Sequence, residues 1–334
     1  MSNEFMLHLH KRLAEKTYGE PPRQLSDTTA NAYIRTLTIL NNKLPFKNLT
    51  FLKKTDEILK KLATYAETTQ KTLLASITSV LALDKDKAGY KKAYKFYHDK
   101  MMDKAKTVKV EGGSIVANEK QTENWLTWDN VLKKHSELKT SCDAFANEKT
   151  LNADHLNTLL SHLILSLYVD LPPRRNQDYL NMVVYKALKK DNVDELPKDK
   201  NYLIVVKGVP TSFIFNVYKT AKTYGKQTIP IPDTLKDTLT TYIKRMGHKD
   251  KEHKLLPMEQ DNAITRLLNK VFGKKIGSSM LRHIYLSSKY DINEMTNDAT
   301  QMGHSLDEQK AYMKTPPTEP PSNDVIQELL VEAI

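Results

Sequence analysis

The stretch NYLIVVKGVPTSFIFNVYKTAKTYGKQTIPIP, residues 201–232, decides the fold class. Within it, LIVV at 203–206, SFIFNV at 212–217 and TIPI at 228–231 are short runs rich in β-branched and aromatic residues, and Tyr224-Gly225 is a turn signal between two of them. They predict a small antiparallel sheet. On both sides of it the pattern is helical. An apolar helix is expected over 153–169, stopped by Pro172-Pro173, and Trp125, Trp128, Val131 and Leu132 precede it at helical spacing. Helical periodicity returns from Leu235. Residues 122–314 therefore read as a mainly α domain with a small antiparallel β-sheet set into it.

The N-terminal part has a different character. Ala30, Tyr33, Ile34, Leu37 and Leu40 recur every three or four residues, behind Ser26-Asp27 as an N-cap. Phe51, Leu52, Ile58, Leu59 and Leu62 form a second stripe; Ile77, Val80 and Leu81 a third; Tyr90, Tyr94 and Tyr97 a fourth. Residues 1–105 are expected to be an all-helical bundle. Gly112-Gly113-Ser114 lies in a polar stretch without periodicity, and 106–121 is read as a linker. After residue 314 come Pro316, Pro317, Pro320 and Pro321, then a short acidic amphipathic helix carrying Val325, Ile326, Leu329 and Leu330.

The 334 residues carry 51 Lys+Arg against 40 Asp+Glu, and the excess is placed unevenly. Residues 1–110 hold 21 basic and 11 acidic groups, whereas 111–334 hold 30 and 29. A basic domain joined to a near-neutral one suits a division in which one part grips a polyanion and the other acts locally. The single Cys142 excludes an internal disulfide and a Cys-rich zinc site. With no leader pattern and no membrane-length apolar run, a soluble protein of a reducing intracellular compartment is expected, in cytoplasm or nucleus.

Against this background one set of polar residues stands out by its order. Arg174-Arg175 follow the two prolines, with Asp178 three positions after Arg175. Lys219, Lys222 and Lys226 surround the turn at Tyr224-Gly225. Ser279, Arg282 and His283 come next, then Gly303-His304, and Tyr312 eight residues later. Breaking and rejoining a phosphodiester without metal or ATP needs a nucleophile that conserves the bond energy, and a Tyr phenol can form such a covalent link. It also needs fixed donors for the charge on the non-bridging oxygens, a role for which the planar, permanently charged Arg is suited. The leaving 5′-oxygen needs a proton donor. Two Arg, a Lys, a His and a Tyr supply all of these.

In this order the residues resemble the active site of the tyrosine recombinases, the phage-type integrase family. The motifs span residues 155–314, and residues 20–105 match more loosely as a basic helical core-binding domain. The resemblance implies that Arg175 is the first catalytic arginine with Asp178 as its orienting carboxylate. Lys222, with Lys219 and Lys226 as rivals, matches the β-hairpin lysine that reaches the scissile phosphate. Arg282 matches the second arginine, His304 the histidine of the Gly-His pair, and Tyr312 the nucleophile. His283 fits the frequent Arg-His pair in a structural role. Two departures are visible: Ser279 stands where a His or Lys is usual, and the His304–Tyr312 spacing is one residue shorter than in most bacterial and phage members. Tyr285 and Tyr290 lie before His304, on the wrong side for the family's order. Pro-Pro-Arg-Arg-Asn and Met-Gly-His-Ser resemble recombinases of eukaryotic DNA viruses and mobile elements more than bacterial ones.

The resemblance further implies a two-domain, C-shaped clamp on double-stranded DNA, a 3′-phosphotyrosine intermediate, no metal or other cofactor, and a homo-tetramer on two DNA sites in which the C-terminal helix docks on a neighbour. A type IB topoisomerase, a telomere resolvase and an inactive DNA-binding protein on the same fold are the alternatives.

Overall fold

The computed structural model describes residues 2–18, 23–87, 89–112, 117–189, 191–289, 292–304, 308–309 and 312, by backbone alone at 2–3, 18, 23, 107–112 and 292–296. The expected C-terminal helix at 325–330 and Tyr290 lie outside these residues. The chain divides into two compact units, Met1–Gly113 and Ser114–Ile334.

The first unit is helical. It contains α1 (Ser2–Glu15), a two-residue pairing of β1 (Thr17–Tyr18) with β2 (Arg23–Gln24), α2 (Asp27–Leu40), α3 (Thr55–Leu62), α4 (Glu67–Leu81) and α5 (Lys91–Gly112). Helix α1 and the strand pair were not among the expected elements. Ser26 caps α2, its hydroxyl accepting from Thr29 N at 3.2 Å. Leu9, Leu13, Leu37, Leu40, Ile77 and Tyr97 meet in one core, and the Tyr97 hydroxyl donates to Leu52 O at 2.8 Å. Arg12 joins α1 to the end of α4 through Asp84 at 2.8 Å and Leu83 O at 3.0 Å. The lysines face out: on α5, Lys91, Lys92, Lys95 and Lys100 are exposed while Ala93 and Tyr97 turn inward. Helix α5 continues to Gly112, through residues read from sequence as linker.

The second unit contains α6 (Glu119–Asn124), α7 (Trp128–Ala144), α8 (Ala153–Val169), α9 (Asn176–Leu180), β3 (Val183–Ala187), β4 (Tyr202–Val206), β5 (Val209–Phe215), α10 (Ala221–Tyr224), β6 (Gln227–Pro230), α11 (Asp233–Met246), β7 (Glu252–Lys254), α12 (Ala263–Phe272), α13 (Ser278–Ser288) and α14 (Ile292–Met302). Helix α8 matches its predicted limits, and Asn152 caps it by accepting from His155 N at 2.8 Å. From Leu163 to Tyr168 every α8 side chain is buried, as expected of a helix covered on all sides.

The five-stranded sheet runs β6-β5-β4-β3-β7. It is mixed, not antiparallel as predicted, because β3 and β4 pair in parallel. The missed strand β3 is the cause: residues 188–201, with a 3-10 turn at Val193–Glu195, carry the chain back so that β4 enters in the same direction. The β4–β5 hairpin turns at Lys207 and Gly208, with φ of 51° and 81°, as a two-residue turn with positive φ at both positions demands. Side chains alternate across the sheet. Leu203, Val205, Phe213 and Phe215 enter the main core, while Tyr202, Ile204, Ile214 and Tyr185 pack on the other face.

Candidate active site

Pro172-Pro173 hold the chain extended after α8, and Arg175, at φ −74° and ψ 148°, is the N-cap of α9. Consecutive side chains of an extended segment face opposite ways, so the two arginines part company. Arg174 turns inward and is 1% exposed. Its Nε donates to Asp178 Oδ2 at 2.9 Å, its Nη1 donates to Gln227 Oε1 at 2.8 Å, and its guanidinium carbon lies 3.8 Å from the Phe215 ring centroid. Asp178 is therefore the partner of Arg174, correcting the expectation that it orients Arg175. Spacing suggested the other pairing; the i,i+4 geometry at the start of α9 decides it. Burial raises the Asp178 pKa and Arg174 opposes that shift.

Arg175 faces the other way. Its Nη2 donates to Glu308 Oε1 at 2.9 Å, and its Nη1 donates to Gly303 O at 3.4 Å. Arg282 comes from α13, where nearly every residue is buried. Its Nη2 donates to the Tyr312 hydroxyl at 3.3 Å and its guanidinium carbon lies 4.8 Å from the Tyr312 ring centroid. Burial lowers the Arg282 pKa, with the Arg175 charge acting in the same direction and Tyr312 opposing it. Among the described residues its Nε and Nη1 are buried without a hydrogen-bond partner. A buried cation with two unused donors is an arrangement that an anion completes.

His304 is buried, its ring centroid 5.4 Å from that of Tyr312. The Gly-His pair has a local cause. Gly303 N donates to Thr300 O at 3.1 Å, His304 N donates to Ala299 O at 3.1 Å, and Gly303 has φ of +70°. This is a Schellman ending of α14, which requires a residue without Cβ penalty at the left-handed position. His283 works on the tyrosine from the other side. Its Nδ1 donates to the Tyr312 carbonyl oxygen, which leaves Nε2 to accept from the Gln121 amide at 3.1 Å in the neutral ring. His283 thus contacts the Tyr312 backbone.

The remaining predicted residues are dispersed. Lys222 is exposed on α10, and among the described residues it makes no hydrogen bond to this cluster. Lys226 is bound to Asp194 at 2.6 Å. Lys219 lines a cavity of about 460 Å³ together with Arg175, Asp178 and Lys200. Ser279 is exposed one turn before Arg282 on α13. Tyr285 is buried against Trp128 and its hydroxyl donates to Asp298 Oδ2 at 3.3 Å, with burial raising its pKa to about 12.

Sequence reasoning passed over Glu308, Gln227 and Asn201. Glu308 and Tyr312 both have helical backbone, and their spacing of four was the available signal. Asn201 is buried at the start of β4. Its amide donates to Asp178 O at 2.9 Å and Val217 O at 2.8 Å and accepts from Asn216 N and Val217 N, which fastens the segment leading to Lys219 beside α9. Nothing in its sequence context marks it. Among the described residues no group of three or more His, Cys, Asp or Glu is placed to hold a metal ion, and no helix is long and apolar enough to cross a membrane.

No family model matches the chain, and no curated protein matches it. Among solved structures it is similar to a crystal structure of XerA recombinase, at 12% sequence identity and a TM-score of 0.37, over 100% of this chain and 98% of that one.

Proposed function

We propose that the chain is a site-specific DNA recombinase that cleaves and rejoins strands through a 3′-phosphotyrosine. The observation that carries this reading is Arg282: a buried guanidinium with two N–H donors unused among the described residues, hydrogen-bonded to the Tyr312 phenol, with Arg175 near enough to press on its charge. A phosphodiester seated between the two arginines would meet the phenol directly.

In the first step the Tyr312 oxygen attacks phosphorus and the phenolic proton passes to water. The bond from phosphorus to the 5′-oxygen breaks, and that oxygen takes up a proton. Arg175, Arg282 and His304 stabilise the charge on the non-bridging oxygens. The proton for the 5′-oxygen comes from a lysine before β6. Lys222 is the family match by spacing, and Lys219, which shares a cavity with Arg175, is its rival. A second strand's 5′-hydroxyl then reverses the attack. The basic first unit supplies phosphate contacts and most of the affinity. Assembly on two sites would require four copies.

Covalent trapping on nicked DNA carrying the cognate site, with EDTA present, tests the reading. A protein–DNA adduct at the 3′ end that persists after denaturation and is lost in Tyr312→Phe supports it. Exchange of strands between two sites separates a recombinase from a topoisomerase, which would only relax supercoils. Tight binding with no adduct on any fragment leaves a DNA-binding protein without activity and refutes the proposal.

A further inference from the structure

Arg174 has no part in the chemistry just described, yet it is among the most completely buried large side chains in the molecule. Its surroundings indicate why. Among the described residues the Schellman ending of α14 uses the carbonyls of Thr300 and Ala299 and not that of Gln301. Arg174 Nη1 donates to the Gln301 carbonyl, while Gln227, itself bonded to Arg174, donates from Nε2 to Thr300 O. A guanidinium before α9 and an amide on β6 thus hold the last turn of α14. The clamp is rigid. Asp178 fixes Arg174 from one side, and the aromatic rings of Phe215 and Tyr218 lie beneath it at 3.8 and 5.1 Å. The turn itself packs on the loop that follows β5, since a Cβ at Gly303 would stand 2.7 Å from Tyr218 Cε2. The residue immediately beyond this turn is His304.

We infer that Arg174 is a positioning residue for His304: by clamping the carbonyl end of α14 it sets the histidine beside Tyr312. The paired arginines then divide the labour, Arg175 facing the phosphate and Arg174 facing the helix that delivers the third phosphate-binding group. A lysine in place of Arg174 would reach one partner but could not bridge Asp178, Gln227 and the Gln301 carbonyl with a single planar fork. The inference rests on the recombinase reading, in which His304 acts on the phosphate.

The test is a double-mutant cycle in single-turnover cleavage of nicked DNA by the full chain at saturating DNA. Arg174→Met would strand Asp178 as a buried charge, so it is combined with Asp178→Asn. Gln227→Met removes the second leg of the clamp without leaving a buried charge, and carries the test alone if the first variant does not fold. Against wild type, the Arg174/Asp178 variant is expected to cleave about 10- to 100-fold more slowly, and Gln227→Met less severely, with DNA affinity changed by no more than about twofold. In a His304→Ala background the same changes should add little further loss, because the group they position is gone. Full multiplication of the two losses would overturn the inference, as would an unchanged rate in the clamp variants. Wild-type protein that forms no adduct would instead refute the recombinase reading on which the inference depends.

Discussion

The two units carry their positive charge in opposite ways. The first holds its lysines on exposed helix faces over an apolar core, and its ion pairs are mostly at the surface. The second has almost no net charge by sequence but brings three of the chain's eight arginines, Arg174, Arg175 and Arg282, inside or nearly so. Exposed lysines act together through solvent, are screened by salt, and contribute affinity without demanding a geometry. A buried guanidinium costs desolvation and must be matched by fixed partners, which makes it sensitive to placement and suited to oxygens held in one geometry. Net charge therefore identifies where a polyanion would be gripped, while burial identifies where it would be altered.

The largest loss is expected at Arg282. Arg282→Gln should slow cleavage on the order of 10³-fold with DNA affinity nearly unchanged, measured by single-turnover cleavage and by titration of labelled duplex. An equal loss in affinity would mean that Arg282 grips DNA as the lysines do.

A smaller effect concerns stability. His162 in α8 is stacked on His135, and burial, reinforced by the His135 charge, lowers its pKa to about 4. Between pH 6.5 and 4 the folded chain then binds fewer protons than the unfolded chain. The stability it contributes is present above pH 6.5 and is lost as pH falls toward 4, by about 3 kcal/mol. His135 shifts in the same direction, whereas Asp170, raised by burial, acts in the opposite sense. Thermal melts at pH 7 and pH 4.5 should show the loss in the second unit, and His162→Phe should remove most of it.

Much of this organisation was legible in the sequence. The limits of α8 follow from its apolar run and a pair of prolines, and Arg175, Arg282, His304 and Tyr312 meet in space because α9, α13 and the end of α14 each present one of the first three. What was not legible turned on direction. Spacing alone does not say which of two adjacent arginines an extended segment turns inward, so Asp178 was assigned to the wrong one. Strand β3 was missed because its five residues include a lysine and lie against a crossover, and with it went the parallel pairing. Lys222 was chosen by counting along a strand, whereas the chain inserts the short helix α10 there.

On the affinity side, replacing Lys91, Lys92 and Lys100 together by Gln should weaken binding about tenfold, reduce the slope of log affinity against log salt, and leave the cleavage rate at saturating DNA unchanged. The smallest expected effect sharpens the comparison at its boundary. In the DNA-free chain the Glu308 carboxylate occupies an N–H of Arg175 that a phosphate would need. Glu308→Gln should tighten binding of nicked DNA by roughly two- to fivefold, as read by titration at low salt.

The most direct test of the central claim is to identify the modified residue itself. Wild-type protein is trapped on nicked DNA, the DNA is trimmed with nuclease, and the remaining nucleotide-bearing peptide is sequenced by mass spectrometry. The account predicts a nucleotide attached through a 3′-phosphate to Tyr312. Attachment to Tyr285, to another tyrosine, or to no residue at all would contradict it.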